Sequence, residues 1–191
     1  MDRFDLHIAE WVADHRTGPL TSLSRTLEDL GTSPGFFTIV LVVGLVLVGV
    51  RRAWVGLPSA GTAVLGTLAL TFPLKDVFDR PRPPADLAIT TLHESSMPSS
   101  HAILTSACVT AVVLAPWWTS AFWRRLVLWI GVAGCVISAD AMVYLGGHWV
   151  TDVLVGWVLG AGVTAAVMWL WRFLPLPGGR HAFARQRSVL V

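Results

Sequence analysis

The sequence contains little charge. Asp, Glu, Lys and Arg make up 14% of its 191 residues, whereas a soluble domain carries roughly 25%. Four stretches, 32–50, 53–74, 102–123 and 153–171, contain no charged residue at all. Each is close to the roughly 20 apolar residues that cross a bilayer. A soluble globule cannot bury this much apolar surface, so the shortage of charge indicates an integral membrane protein.

The sequence also contains few cysteines. The two that occur, Cys108 and Cys135, lie inside apolar runs, which disfavours a disulfide or a metal site and favours a role in helix packing. The first thirty residues are charged throughout and have no apolar core, so no cleavable signal peptide is expected. The chain shows no internal repeat, no low-complexity tract and no second domain.

The apolar stretches predict an all-α polytopic membrane helical bundle with five transmembrane helices. Residues 2–30 interleave apolar and charged residues around Gly18-Pro19. This pattern is typical of two short amphipathic helices at the membrane surface, and a sixth span is the less favoured alternative. The five spans are predicted at about 34–50, 54–74, 99–118, 126–145 and 151–174.

The distribution of charge predicts the orientation. With five spans, one side of the membrane collects arginines and no acidic residue, which places that side and the C-terminus in the cytoplasm. The loop 75–98 and the turn 146–150 then both face outside. The arginines are Arg51, Arg52, Arg124, Arg125, Arg172, Arg180, Arg185 and Arg187.

Two polar clusters belong to the outward loop. Lys75 and Arg82 offer a point charge and a planar fork for phosphate oxygens; the alternative is a basic patch that touches lipid head groups. Ser99, Ser100 and His101 open an apolar helix, whose free amides and dipole favour an anion. His101 could exchange a proton with that anion; the alternative is a plain helix cap with an interfacial histidine.

A third cluster contains His148 and Asp152. Their spacing of four residues predicts that both side chains lie on one face of a helix, where the carboxylate would fix the imidazole tautomer and leave the other nitrogen as nucleophile or base. The alternative is a polar helix start with a chance histidine. Together the three clusters form a phosphoryl-transfer constellation that needs no metal, because no aspartate-rich phosphate–metal motif is present.

The three clusters resemble the signature of the type-2 phosphatidic acid phosphatase superfamily of membrane lipid phosphatases. That signature consists of K-x6-R-P, then P-S-G-H, then S-R-x5-H-x3-D, and the resemblance extends over about residues 20–172. The matching residues are Lys75, Arg82 and Pro83, then Pro98, Ser99 and His101 with Ser100 in place of Gly, then His148 and Asp152.

The resemblance implies a role for each matching residue. His148 would attack phosphorus and form a phosphohistidine, and Asp152 would orient it. His101 would protonate the leaving oxygen and then activate the hydrolytic water. No metal and no other cofactor is implied. The phosphate would be held by Lys75, Arg82, Ser99 and the amide of Ser100.

The implied substrate is a lipid phosphate or diphosphate in the bilayer, and no nucleic-acid partner is expected. An outward-facing site suits a polyprenyl diphosphate carrier; phosphatidylglycerol phosphate or phosphatidic acid is the alternative. The oligomeric state stays open. Three segments are expected: an N-terminal amphipathic interfacial segment at 1–31, a transmembrane phosphatase-like domain at 32–174, and a basic cytoplasmic tail at 175–191.

The sequence departs from the signature at one charged position. Ala141 and Met142 stand where the family has Ser-Arg, and that arginine clamps the phosphate. A homologue that binds lipid phosphate without turnover is therefore the alternative from another class. Arg80 is a weak candidate for the missing charge. Asp140 lies inside a predicted span, where it would either join a polar network or sit solvated at the interface.

Overall fold

The described part of the chain is helical, and no strand occurs within it. The computed structural model describes residues 3–33, 35, 42, 49, 56–92 and 94–173. The all-α prediction is confirmed for these residues. The helices are α1 (Arg3–Asp14), α2 (Gly18–Thr32), α3 (Leu57–Phe78), α4 (Ser100–Leu114), α5 (Ala121–Tyr144) and α6 (Val150–Leu170), and a 3-10 turn follows at Trp171–Phe173.

Three of the described helices are long and apolar enough to cross a membrane: α3, α5, and α6 with its 3-10 turn. They correspond to the second, fourth and fifth predicted spans. The third predicted span forms a shorter helix, because α4 has 15 residues and ends at Leu114, two residues before Pro116, which cannot continue a helix. The first predicted span, 34–50, lies almost entirely outside the described residues, as does the tail 175–191.

Two helix boundaries differ from the prediction at their charged ends. Helix α3 continues past Leu74 to Phe78, so Lys75 lies in its last turn and is buried. Helix α5 begins at Ala121, so Arg124 and Arg125 belong to its first turns. Long basic side chains can extend from a helix end towards the interface, so a charge near the end does not stop a helix.

Helices α4 and α6 pack closely because α6 carries small residues at their contact. A Cβ atom added at Gly156 would lie 2.9 Å from the backbone oxygen of Ser99 and 2.8 Å from Cβ of Ala102. One added at Gly160 would overlap Ser106 and the backbone of Ile103. Small residues four apart allow helix backbones to approach in membranes. The approach fixes the start of α4 against the start of α6.

Helices α1 and α2 lie across the end of the bundle where α5 ends and α4 and α6 begin. Helix α2 starts near Tyr144, whose hydroxyl accepts a hydrogen bond from the amide of Thr17 at 2.8 Å, and it ends with Gly31 against the His101 ring. The predicted pair of short amphipathic helices is confirmed as two helices. Their exposed apolar residues include Phe4, Trp11, Leu20, Leu23 and Leu30.

The segment between α3 and α4 folds onto the turn between α5 and α6. The amide of Ile89 donates to the oxygen of Leu145 at 2.9 Å. Gly146 has a φ of +75°, which a glycine adopts without strain, and a Cβ there would lie 2.6 Å from Cα of Ala88. The two predicted outward segments therefore meet at one end of the bundle.

Candidate active site

His148 lies in the turn before α6, with both ring nitrogens facing charged groups. Nδ1 is 3.5 Å from Oδ2 of Asp152, and Nη1 of Arg82 points to Nε2 at 3.4 Å. Because Arg82 can only donate, Nε2 is the unprotonated nitrogen and Nδ1 carries the hydrogen. This tautomer leaves a lone pair on Nε2, the atom that a nucleophilic histidine uses. The side chain is 7% exposed.

His148 and Asp152 are not on one face of a helix, contrary to the sequence prediction. Gly146 has a positive φ, which takes the backbone out of the helical path after α5. Helix α6 begins only at Val150, so His148 lies before the helix. The Asp152 carboxylate instead turns back over the start of α6, where its Oδ2 accepts a hydrogen bond from the Trp149 amide at 2.9 Å. A carboxylate in the first turn of a helix also benefits from the dipole.

The contact between His148 and Asp152 is longer than a hydrogen bond. An N–H···O bond measures about 2.7–3.2 Å, and His148 Nδ1 makes no hydrogen bond to any described residue. Contacts at a catalytic site often shorten only when the substrate is bound. At 3.5 Å, Nδ1 of His148 and Oδ2 of Asp152 need only a small shift to come within hydrogen-bonding distance.

The surroundings of His148 keep its ring neutral. Burial lowers the pKa of His148; the Asp152 carboxylate opposes this effect, while the positive charges of Arg82 and Lys75 add to it. The net effect is a pKa below the ordinary value of 6.5. The surroundings therefore favour the neutral imidazole, the form that a nucleophilic histidine needs.

Arg80 holds Asp152 from the other side. Its Nη1 donates to Oδ1 of Asp152 at 2.7 Å, and its Nη2 donates to Oδ2 of Asp5 at 2.6 Å. Burial by itself lowers the pKa of Arg80, but the two carboxylates outweigh burial and raise it. Arg80 is thus occupied by carboxylates, which argues against its serving as the replacement for the missing phosphate clamp.

Lys75 and Arg82 are fixed by the loop that they precede. Nζ of Lys75 donates to the oxygen of Ser95 at 2.6 Å and lies 3.7 Å from the Glu94 carboxylate. Arg82 donates from Nε to the oxygen of Glu94 at 2.7 Å and from Nη1 to the oxygen of Gly147 at 2.5 Å. A cavity of about 260 Å³ opens beside Arg82, Glu94 and Ser95. Of the two predicted cations, Arg82 therefore lies at the wall of an open polar cavity, and Lys75 contacts Glu94 and Ser95 of the same wall.

The start of α4 supplies the second predicted cluster. Ser99 is the N-cap of α4: its Oγ accepts from the amide of Ala102 at 3.4 Å, and its own amide donates to the oxygen of Asp152 at 3.2 Å. Ser100 and His101 form the first turn of the helix and are half-buried. His101 lies in the first turn of α4, at the same end of the bundle as His148.

The structure brings the three predicted clusters to one end of the bundle. The site residues predicted from the sequence are His148, His101 and Asp152 for catalysis, and Lys75, Arg82, Ser99 and Ser100 for phosphate binding. Sequence analysis missed Asp5, Thr151 and the site contact of Gly31. No local pattern in the sequence marks Asp5 or Thr151 as a site residue. The close approach of α4 to α6, by contrast, could have been predicted from the Gly-x3-Gly pair on α6, which is Gly156 and Gly160.

Two residues that the sequence singled out stand apart from the site chemistry. Met142 is buried, and its backbone oxygen accepts a hydrogen bond from the amide of Gly147 at 2.9 Å. Asp140 is exposed and forms no salt bridge with any described residue. No group of three or more His, Cys, Asp or Glu side chains in the described ranges is placed to hold a metal ion.

Comparison with known proteins gives two relatives. The chain is 35% identical over 71 residues to an undecaprenyl-diphosphatase of Sulfolobus acidocaldarius, and the aligned region covers 36% of this chain and 30% of that protein. It is 32% identical over 150 residues to phosphatidylglycerophosphatase B of Bacillus subtilis, which covers 74% of this chain and 70% of that protein. The chain therefore spans less than a third of the first relative.

Solved structures share the fold. A PAP2-type phosphatidylglycerolphosphate phosphatase from Bacillus subtilis superposes with a TM-score of 0.70 at 23% identity, over 91% of this chain and 87% of that one. LpxE from Aquifex aeolicus gives a TM-score of 0.68 at 19% identity, over 87% of this chain and 96% of that one. The model of the PAP2 superfamily matches residues 56–175, which include all three clusters, and the chain belongs to this superfamily.

Proposed function

We propose that the protein is a membrane lipid phosphatase that acts through a phosphohistidine at His148. The observation that carries this proposal is the setting of the His148 ring. Nε2 is kept free of a proton by a donor, Arg82, at 3.4 Å, and Nδ1 faces the Asp152 carboxylate at 3.5 Å. A neutral imidazole with one nitrogen free and the other facing a carboxylate is an activated nucleophile.

The reaction proceeds in two steps. In the first, the Nε2 lone pair attacks the terminal phosphorus, the bond from that phosphorus to the leaving oxygen breaks, and His101 gives its proton to that oxygen; the leaving group is the lipid monophosphate from a diphosphate and the lipid alcohol from a phosphomonoester. The Nδ1 hydrogen stays on the ring, and Asp152 stabilises the resulting positive charge. In the second, His101 takes a proton from water, whose oxygen attacks phosphorus and releases His148 with inorganic phosphate.

The phosphate is held by charge and by helix amides. Arg82 contributes a positive charge at the cavity wall and Lys75 a second one behind Glu94 and Ser95, and fixed cations stabilise the charge that spreads over a transferring phosphoryl group. Ser99 caps α4, so the first amides of that helix, including that of Ser100, are available to an anion. The site thus offers both fixed charges and oriented dipoles to the phosphate oxygens.

A lipid substrate fits the position of the site at one end of apolar helices. Large apolar side chains such as Phe72 on α3, Trp129 on α5 and Val158 on α6 are 66–73% exposed, which suits contact with acyl chains. We assign a polyprenyl diphosphate carrier as the substrate, handled at a site on the extracytoplasmic side. The arginine distribution and the name of the archaeal relative support this assignment.

Phosphatidylglycerol phosphate is the second candidate substrate. The observation in its favour is the longer match: the relative named phosphatidylglycerophosphatase B aligns with 74% of this chain, against 36% for the relative named undecaprenyl-diphosphatase. Phosphatidic acid has the same phosphomonoester chemistry. A panel of the three lipids therefore distinguishes cleavage of a diphosphate from cleavage of a monoester.

The first test is removal of the nucleophile. The purified full-length protein in detergent is expected to release inorganic phosphate from at least one lipid of the panel in the presence of EDTA. His148→Asn should lower kcat by on the order of 10⁴–10⁶-fold, as loss of a covalent nucleophile does. His7→Asn is the matched control, because His7 is an exposed histidine on α1 and should leave the rate unchanged.

The result also decides whether the chain is catalytic despite Met142. Rapid quenching at alkaline pH should trap a phosphohistidine in the wild-type protein and none in His148→Asn. Phosphate release by Met142→Arg alone, with a silent wild-type protein, would make the native chain a lipid-phosphate binder that does not turn over. Silence of both proteins towards the whole panel would refute the phosphatase proposal.

A further inference from the structure

Asp5 on helix α1 is a buried carboxylate with an unusual set of partners. It is 1% exposed, although α1 is a short helix with charged residues on its other faces. Its Oδ2 accepts from Nη2 of Arg80 at 2.6 Å and from the hydroxyl of Thr151, and its Oδ1 accepts from the amide of Thr151 at 3.1 Å. A buried charge is costly unless it is paired and hydrogen-bonded, and here every contact leads to the active site.

The contacts of Asp5 form two connections to the reacting group. One runs through Arg80, whose guanidinium joins Asp5 to Asp152 with hydrogen bonds of 2.6 and 2.7 Å. The other runs through Thr151, the neighbour of Asp152 in the first turn of α6, whose hydroxyl accepts from Arg80 at 2.6 Å. Asp152 in turn faces His148. A network in which each member holds the next gives one preferred geometry.

We propose that Asp5 is a positioning residue for the reaction at His148, and that it acts by holding Arg80 and the first turn of α6 so that Asp152 stays aimed at the ring. The inference rests on the proposed function, since it concerns the same nucleophile. It makes helix α1 part of the catalytic unit. Asp5 touches neither His148 nor the phosphate cavity, so its effect on the reaction passes through Arg80 and Thr151.

The expected consequence of removing Asp5 follows from how Arg80 is shared. With Asp5 present, one guanidinium is divided between two carboxylates. With Asn at position 5, the whole charge of Arg80 acts on Asp152, so the carboxylate stabilises a protonated His148 less. The other charged or titratable groups around His148 are unchanged by this substitution: Arg82 and Lys75 with its partner Glu94 on the α3 side, and His101 on α4.

The test compares Asp5→Asn with Asp5→Glu and Asp14→Asn in the full-length protein. Asp5→Asn should lower kcat by about 10–100-fold, the range found when a group that orients a site's direct ligands is lost. KM should change little, because the phosphate contacts remain. The acid limb of kcat/KM should move to lower pH by about 0.5–1 unit. Asp5→Glu keeps the carboxylate, so its kcat and the position of its acid limb should lie between those of Asp5→Asn and wild type. Asp14 is an exposed aspartate on the same helix, so Asp14→Asn should match wild type in both.

A purely structural role would give a different pattern. Lower activity at every pH, in proportion to the fraction of folded protein and with an unmoved acid limb, would overturn the proposal. So would wild-type kcat in Asp5→Asn. The fraction folded is measured by thermal unfolding of each variant in the same detergent.

A second measurement needs no turnover. The pKa of the His148 imidazole can be followed by NMR in protein labelled at histidine, with His148→Asn used to assign the signal. A lower His148 pKa in Asp5→Asn supports the coupling even if the wild-type protein hydrolyses no lipid of the panel, in which case only the proposed function fails. An unchanged His148 pKa in an active enzyme overturns the coupling alone.

Discussion

The close approach of α4 and α6 predicts that Gly156→Ala damages catalysis more than stability. The added Cβ would lie 2.9 Å from the oxygen of Ser99 and 2.8 Å from Cβ of Ala102. Ordinary carbon contacts lie at about 3.5–4.0 Å. The start of α4 must therefore move away from α6 by about 0.6–1 Å. Both Ser99 and His101 would move with it, away from His148.

The size of the effect of Gly156→Ala is estimated separately for the free energy of unfolding, on which two opposing effects act, and for kcat. Overpacking costs about 1–3 kcal/mol, while replacing glycine by alanine inside a helix contributes about 0.5–1 kcal/mol in the other direction. The free energy of unfolding should thus fall by about 0–2.5 kcal/mol. A displacement of about 1 Å between reacting groups can lower kcat by about 10²-fold.

The assay is phosphate release by purified variants, with thermal unfolding measured on the same samples. Gly162→Ala is the matched control, because a Cβ at Gly162 would meet no atom within 4 Å and it lies on the same helix. Its kcat should equal that of wild type, and its stability should be equal or slightly higher. Wild-type kcat in Gly156→Ala, at an unchanged fraction of folded protein, would refute the role of this contact in placing the start of α4, with Ser99 and His101, relative to α6.

Two further predictions concern the histidines. The pKa of His148 is lowered from 6.5, chiefly by burial, and the proposed nucleophile must be neutral, so the acid limb of kcat/KM should lie below pH 6.5 and fall about tenfold per pH unit. Arg82→Gln removes a cation that helps to lower this pKa, so its acid limb should move to higher pH, and a limb that stays in place would contradict the assignment. Gly31→Ala should lower kcat by about tenfold, because its Cβ would lie 2.7 Å from Cε1 of His101 and would displace the ring. Gly18→Ala is the control and should leave kcat unchanged, because its Cβ would have no atom within 4 Å. Equal kcat values for the two variants would show that the added Cβ at position 31 does not displace His101.

The meeting of the three clusters was predictable from sequence, because the chemistry expected of them, phosphoryl transfer, restricts the choice of residues. A bound phosphate calls for Lys or Arg and for a helix start, and a nucleophile and a proton donor that work at neutral pH call for histidine. Lys75, Arg82, His101, His148 and Asp152 met these demands in the sequence. The structure brings all of them to one end of the bundle.

The local geometry of His148 was not predictable from spacing alone. Four residues separate His148 from Asp152 whether or not the segment between them is helical. The glycines at 146 and 147 indicated a turn, and the φ of +75° at Gly146 shows how the chain leaves the helical path before α6. The carboxylate then reaches the ring across the start of the helix.

The role of α1 was out of reach of sequence analysis for a different reason. Nothing in the helix distinguishes Asp5 from Glu10 or Asp14, because all three are acidic residues in an amphipathic pattern. What makes Asp5 different is its partners, which lie 75 residues away at Arg80 and 146 residues away at Thr151. Contacts at such separations leave no local periodicity.

The same separation has a consequence for biosynthesis. At roughly 5–20 residues per second, about 7–30 s pass between synthesis of Asp5 and synthesis of Thr151. Until the turn that carries His148 and the start of α6 have been made, neither Thr151 nor Asp152 is present to share Arg80 with Asp5, and the chain contains Lys75, Arg82 and His101 without the proposed nucleophile. A nascent chain that stops before this turn therefore lacks the proposed nucleophile, and the candidate site is completed only when α6 joins the other helices.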